Sequence, residues 1–287
     1  MKNILVATDF STRSDRAVRR ATLLAKKFEA PMSLIHVVDD DRPKRIVDAD
    51  RDAALVLLSE QAQSLREVDG VDCSAKVTLG SLSQEVVKAA GTSMADVVVI
   101  GPHRHRAFQD VFVGTTSERI IRARSHPVLV ANGVPASFYR HVLVAVDLSD
   151  CSRQALLAVT GLGLDAYAAV SVVHVFDTPA RSYMTLASAG SRAVEDYLSS
   201  EKARAAEELA VFMRALDRVP IHQVLKFNEG STAHVICATA REISADLVVV
   251  GTRGRTGITK LLLGSVAEEV LHIADRDVLA VPPARVN

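Results

Sequence analysis

The chain repeats itself once, and that repeat limits what it can fold into. Ile4-Leu5-Val6-Ala7-Thr8-Asp9 is matched by Val142-Leu143-Val144-Ala145-Val146-Asp147. Asp9 meets Asp147 at an offset of 147 − 9 = 138, and at that offset Ser11 meets Ser149, Ser14 meets Ser152, and His36-Val37 meets His174-Val175. Farther on, Gly101 meets Gly251 at 251 − 101 = 150, as do Gly80-Ser81 with Gly230-Ser231 and Gly114-Thr115 with Gly264-Ser265. The second copy therefore carries 150 − 138 = 12 extra residues, expected in the loop around Asp177–Arg192. A two-fold repeat at this spacing means two whole domains, because solenoid repeats are much shorter. The total of 287 residues is enough for two domains of ordinary size. A short stretch with Gly133, Pro135 and Ser137 marks the junction, giving domains at 1–132 and 140–287 that should touch.

Each copy alternates strand and helix. Asn3–Thr8 is a continuous apolar run, the mark of a strand buried on both faces. Ala17, Val18, Ala21, Leu24, Ala25 and Phe28 then recur at helical spacing. Further strands are expected at Met32–Val38, Val71–Leu79, Val97–Ile100 and Pro127–Val130, with helices at Ala53–Val68, Ser83–Ala90 and Thr116–Ala123. The second copy gives strands at Val142–Val146, Ala169–Phe176, His222–Phe227, Leu247–Val250 and Val278–Val281. This order predicts an α/β chain of two tandem, doubly wound, five-stranded parallel sheets of Rossmann-like type. Ligands of such sheets bind outside the carboxyl ends of the strands, where the strand order reverses.

Composition narrows the function. Lys plus Arg equals Asp plus Glu at 34 each, without the basic excess of a nucleic-acid binder. Aromatics are 4% and Trp is absent, so the core must be aliphatic. The three cysteines are far apart, which fits free thiols in a reducing compartment. No apolar run reaches the length of a membrane span, and the opening run holds Asp9 too early for a signal peptide. The expectation is a cytoplasmic protein with neither a membrane nor a nucleic-acid partner.

The second copy then reads Gly251-Thr-Arg253-Gly254-Arg255-Thr-Gly-Ile-Thr-Lys260-Leu-Leu-Leu-Gly264-Ser265, a G-x2-G-x9-G-S pattern between a strand and a helix. Glycines let backbone N–H groups approach an anion, and Ser265 stands at a helix N-terminus, which favours phosphate. Arg253, Arg255 and Lys260 offer positive charge. A second reading fits the same residues: the glycines turn the chain, and Ser265 with Glu268 forms a capping box, as Thr115 with Glu118 does in the first copy.

That spacing resembles the nucleotide-binding signature of the universal stress protein family. The run from Val144 to Ser152, His174-Val175 and the ending Asp277–Pro282 resemble the same family, and the resemblance covers nearly the whole chain twice. It implies two adenine nucleotide alpha hydrolase-like domains related by a pseudo-two-fold axis, with ATP, and Mg²⁺ beside it, as the ligand. The carried-over positions are Asp147 near the nucleoside and Val175 touching adenine through its backbone. Gly251, Gly254, Gly264 and Ser265 would hold ribose and phosphates, and Val266 would add a backbone N–H. In the first copy the second glycine is replaced by Arg104 and Pro102 removes a donor, so that site is expected not to bind ATP. The family pattern also implies edge-to-edge pairing of Val128–Val130 with Val278–Val281 as an internal pseudo-dimer, and tandem chains can dimerise again.

His103, His105 and His126 lack supporting ligands at metal spacing, so no metal site is expected. His36 and His174 are expected to be structural, and Ser11, Ser14, Ser149 and Ser152 to cap helices. With neither a nucleophile elbow nor a Walker A motif, catalytic residues are not expected. The functional expectation is a stress-response and signalling module that binds adenine nucleotide. The alternatives are a slow ATP hydrolase or nucleotidyl transferase, and a nucleotide-independent scaffold.

Overall fold

A computed structural model describes residues 1–102, 116–123, 125–178, 191–216, 221–228, 230–254 and 263–284. In the first copy β1 (Ile4–Ala7), α1 (Thr12–Phe28), β2 (Met32–Val38), α2 (Lys44–Glu67) and β3 (Cys73–Leu79) are followed by α3 (Leu82–Thr92), β4 (Val97–Ile100), α4 (Thr116–Arg122) and β5 (Val128–Val130). The second copy has β6 (His141–Ala145), α5 (Asp150–Gly161), a 3-10 turn at Leu164–Ala166, β7 (Ala169–Phe176) and α6 (Ser191–Arg214). It ends with β8 (His222–Phe227), α7 (Thr232–Glu242), β9 (Leu247–Gly251), α8 (Ser265–Ile273) and β10 (Asp277–Val281).

The two sheets are joined. The strand order is β3-β2-β1-β4-β5-β10-β9-β6-β7-β8, palindromic in the repeat. All pairs are parallel except β5 with β10, which run antiparallel with Leu129 opposite Leu279. Leu129 and Leu279 point into one apolar layer and Val128, Val130, Val278 and Ala280 into the other, so both core layers run unbroken across the junction. The pairing uses up one edge of each half. The remaining edges are β3 and β8, and each carries a lysine at the matched position, Lys76 and Lys226, which discourages further strand addition.

Local chemistry explains the helices. Ser11 and Ser149 are N-caps whose hydroxyls accept the N–H of Ser14 and Ser152. Ser14 and Ser152 themselves do not cap; their hydroxyls donate back to the carbonyls of Ser11 and Ser149 at 2.9 Å. α1 runs on to Phe28, whereas its counterpart stops at Gly161 because Gly163 turns the chain with φ 76°. α2 starts at Lys44, well before the expected Ala53. Its first turns are held by the exposed pairs Arg42–Asp50 (2.6 Å) and Arg51–Asp48 (3.5 Å), which an apolar-stripe reading does not register.

The 12-residue difference is also split rather than confined to one loop. Leu58, Ala62 and Leu65 of α2 correspond in burial to Ala205, Leu209 and Phe212 of α6, an offset of 205 − 58 = 147. Nine of the extra residues (147 − 138) thus precede α6 and three (150 − 147) follow it. The observed burial fixes this register: Ala205 and Leu209 are buried, whereas Ala206 is exposed and Ala210 only half-buried. A small aromatic cluster sits at the junction: Phe28, Phe138 and Tyr167 meet edge to edge at 5.7–5.8 Å between centroids, with Lys27 3.9 Å above Tyr167.

Candidate functional site

The carboxyl ends of β6, β7 and β9 open into a cleft of about 360 Å³, within the size range of small-molecule sites. Asp147, Val175, Gly251, Arg253, Gly254, Gly264, Ser265 and Val266 all line it. The structure therefore brings together every sequence-derived site residue that it describes. Arg255 and Lys260 lie outside the described residues, as do His103, Arg104, His105, Gly114 and Thr115 of the first copy.

Asp147 is set by a tight turn. Its Oδ1 accepts the N–H of Ser149 at 3.1 Å and its hydroxyl at 2.5 Å. The intervening Leu148 is left-handed at φ 64°, a conformation that costs a non-glycine residue free energy. The first copy builds the same turn, with Phe10 at φ 59° and Ser11 bonding Asp9. His174 donates its Nδ1–H to the carbonyl of Val146 at 2.8 Å and His36 does the same to Thr8, so both act as latches between neighbouring strand ends.

The glycines are needed for space. Neither Gly251 nor Gly254 has a left-handed φ. A Cβ on Gly251 would sit 3.0 Å from the Cys151 carbonyl oxygen, and one on Gly254 would sit 2.9 Å from Asp147 Oδ2. Gly101 repeats the first approach even more closely, 2.7 Å from the Arg13 carbonyl oxygen. Unusual backbone does appear at Gly80 and Gly230, matched positions with φ 128° and 129°, where a side chain would be strained. They launch α3 and α7.

The capping-box reading of Ser265 does not hold. Gly264 is the N-cap of α8 (φ −65°, ψ 141°), its carbonyl accepts from Glu268 N, and it supplies no side-chain cap. Ser265 is the first helical residue, one position too late to cap. The amides of the first turn of α8 are therefore not satisfied by a capping side chain, and Ser265, Val266 and Ala267 face the cleft. The loop that leads there is pinned at both ends: Gly264 N donates to Thr252 O, and Thr252 N to Val281 O, each at 2.9 Å. Glu268 points toward Arg122, 3.8 Å away on α4.

Sequence reasoning missed part of the lining. Ile236 and Thr232 come from α7, and Asp177 follows β7 with its carboxylate bonded to Asn228 Nδ2 at 2.7 Å. The signal for α7 was the Gly80-Ser81 and Gly230-Ser231 match, which marks a helix start aimed at the same strand ends. Burial raises the Cys151 thiol above its ordinary value. In the first copy Arg13 stands at that position, 4.0 Å from Asp9. Burial works against the Asp9 charge, but hydrogen bonds from Ser11 and Ser14 and the Arg13 guanidinium outweigh it and hold the carboxyl below its usual value.

The family model described as the universal stress protein family matches residues 1–132 and again 138–282. A universal stress protein of Mycolicibacterium smegmatis is 28% identical over 300 residues, covering 98% of this chain and 97% of its own. One from Mycobacterium tuberculosis is 27% identical over 291 residues, with 94% of each chain covered. The crystal structure of a universal stress protein from Archaeoglobus fulgidus has the same fold, with a TM-score of 0.71 at 21% identity and 98% of both chains covered.

Proposed function

The chain belongs to the universal stress protein family, and from that premise we propose that it is a stress-response and signalling module that binds ATP in the cleft of its second half. The observation that carries this reading is the start of α8. A helix whose N-cap is a bare glycine turns its first-turn amides into a cleft, and such a terminus favours phosphate. The apolar floor made by Ala145, Val173, Val175 and Val250 suits a flat base. Asp147 sits across from Gly254, where it would meet ribose or a phosphate-bound Mg²⁺. The space over Gly254 is a cradle that a single Cβ would begin to fill.

We read the role as binding without efficient turnover. His174, the imidazole in the cleft, is committed through its Nδ1–H to Val146 and holds the strand ends in place. No described helix is long and apolar enough to cross a membrane. Three buried free thiols favour the reducing cytoplasm as its location. If tandem chains pair again, they do so through helix faces, since the outer sheet edges carry Lys76 and Lys226.

The test is calorimetry with ATP on the full chain and on Gly254→Arg. The expected result is binding to the parent and none to the variant, whose side chain starts 2.9 Å from Asp147 Oδ2. Equal affinity in both would remove the cleft as the site. Absence of binding to the parent, together with absence of nucleotide in the denatured pure protein, would leave a nucleotide-independent scaffold.

A further inference from the structure

The repeat brings two matched helices together at the antiparallel seam, since α4 precedes β5 and α8 precedes β10. Glu118 of α4 matches Glu268 of α8 at 268 − 118 = 150, and Arg122 matches His272 at the same offset. The four side chains meet across the two halves. His272 Nε2 lies 3.1 Å from Glu118 Oε1, and the Arg122 guanidinium lies 3.0 Å from Glu118 Oε2. Arg122 also reaches Glu268 Oε1 at 3.8 Å. A strict repeat would set two glutamates against two arginines, a plain quartet of ion pairs. Histidine in place of one arginine changes the chemistry, because arginine stays protonated and has no lone pair to give, whereas neutral imidazole does.

We propose that Glu118, Glu268 and His272 form a Zn²⁺ site that clamps the first half of the chain to the second. One donor atom from each lies within 4.8 Å of the other two, and this is the one such group among the described residues. Tetrahedral zinc with bonds of about 2.0–2.2 Å holds its ligands about 3.4 Å apart, so side-chain closure of about an ångström completes the triangle. Glu268 and His272 are four residues apart on α8 and thus neighbours on one helix face, the spacing of a two-point chelate. Glu118 supplies the third point from the other half. One imidazole nitrogen with two carboxylates suits Zn²⁺ rather than Ca²⁺ or Mg²⁺, which take oxygen ligands.

The existing contacts prepare the site rather than block it. Glu118 is buried, and its two oxygens face different partners. Arg122 stays on Oε2 as the outer partner that orients a ligating carboxylate, while Oε1 turns to the metal. The ion takes the place of the proton between His272 Nε2 and Glu118 Oε1, and that proton leaves to solvent. Glu268 gives up only its long, partly exposed contact with Arg122, a kind of pair that contributes little. The exposed His272 and half-exposed Glu268 give the ion a way in and leave room for water as a fourth ligand. Nothing in this arrangement depends on the nucleotide reading of the cleft.

The probe is Zn²⁺ alone, titrated into the nucleotide-free full chain against a chromophoric chelator, with Co²⁺ in parallel for its visible absorption bands. One ion per chain is expected. His272→Ala and Glu268→Gln should each weaken uptake at least about ten-fold and bleach the cobalt bands. Zn²⁺ should raise the melting temperature of the parent and leave that of His272→Ala unchanged, and melts in chelator check that both variants fold. The double variant His103→Ala, His105→Ala, which alters a stretch outside the described residues, should take up the ion as the parent does. Absence of stoichiometric uptake by the parent would overturn the proposal. So would uptake that survives both His272→Ala and Glu268→Gln, or uptake lost in the His103, His105 variant.

Discussion

Removing the Asp277 carboxylate should destabilise the chain more than most single substitutions. Asp277 is fully buried, and the Arg20 side chain is only 5% exposed. Asp277→Ala strands that guanidinium, leaving it the Ser137 carbonyl at 2.7 Å and the Tyr139 ring at 4.3 Å. Breaking a buried ion pair costs about 3–5 kcal/mol, and these two remaining contacts place the ionic part near the lower end. The Tyr139 hydroxyl also loses its acceptor, a further cost of about 1–3 kcal/mol. Burial, and then the Asp277 charge, push that phenol well above its ordinary value, so it remains a donor through neutral and alkaline pH. The expected total is about 4–6 kcal/mol, roughly three to four decades in the folding equilibrium. A typical native state has only about 5–15 kcal/mol to lose. Equilibrium urea unfolding followed by far-UV circular dichroism reads the change. Asp69→Ala, which removes the exposed partner of Lys26, serves as the control and should cost less than about 1 kcal/mol. Arg20→Met with Asp277→Leu should recover most of the loss, because an apolar pair leaves no charge behind. A loss for Asp277→Ala as small as the control, or a double variant no better than the single, would refute the reasoning.

Three other outcomes are expected. Gly101→Ala should lower stability by about 1–3 kcal/mol and Gly251→Ala by less, since the added Cβ meets backbone oxygen at 2.7 Å in the first and 3.0 Å in the second; thermal melts in the reverse order would sink the packing argument. The Asp9 carboxyl titrates lower in the fold than in the unfolded chain. Its contribution is therefore present above the ordinary carboxylate value, at about pH 4, and lost as pH falls through its lower folded value, so Asp9→Asn should flatten the acid limb of a stability–pH curve; an unchanged limb contradicts this. Burial pushes the thiols of Cys73 and Cys237 up to about 11, so the native chain should react slowly with a disulfide reagent at pH 8 and all three cysteines promptly in guanidinium; fast native labelling would show the burial to be wrong.

Most of the fold was legible because its signals are local and periodic. The buried strands are uninterrupted apolar runs, and Met32–Val38, Val97–Ile100 and Ala169–Phe176 have the bounds their composition predicts. The start of α2 was not legible, because Ile46, Val56 and Leu57 lie on its exposed side and blur the stripe formed by Val47, Ala54 and Leu58. The joining of the sheets followed from the resemblance, whereas the Arg20–Asp277–Tyr139 cluster could not be read at all. Its members lie 257 and 138 residues apart, and nothing in the spacing of three polar residues says that they meet. The cap of α8 shows the reverse problem: Ser265 and Glu268 have the right spacing for a capping box, and the backbone places the cap one residue earlier.

The duplication separates what the fold requires from what a ligand would require. The Asp9 and Asp147 turns, the His36 and His174 latches, and the close approaches of Gly101 and Gly251 recur in both halves with nearly the same geometry. A residue kept in both copies for such a contact is explained by that contact, so its presence in a cleft is weak evidence for binding. Gly254 is different. Among the described residues a Cβ there would meet no backbone, only the far oxygen of Asp147, so the strand and helix packing described does not call for glycine at that position. Its counterpart in the first copy is Arg104. The nucleotide reading therefore rests on Gly254 and on the glycine-capped start of α8 more than on the aspartate, the histidine or the first glycine, which the sheet needs whether or not a ligand ever arrives.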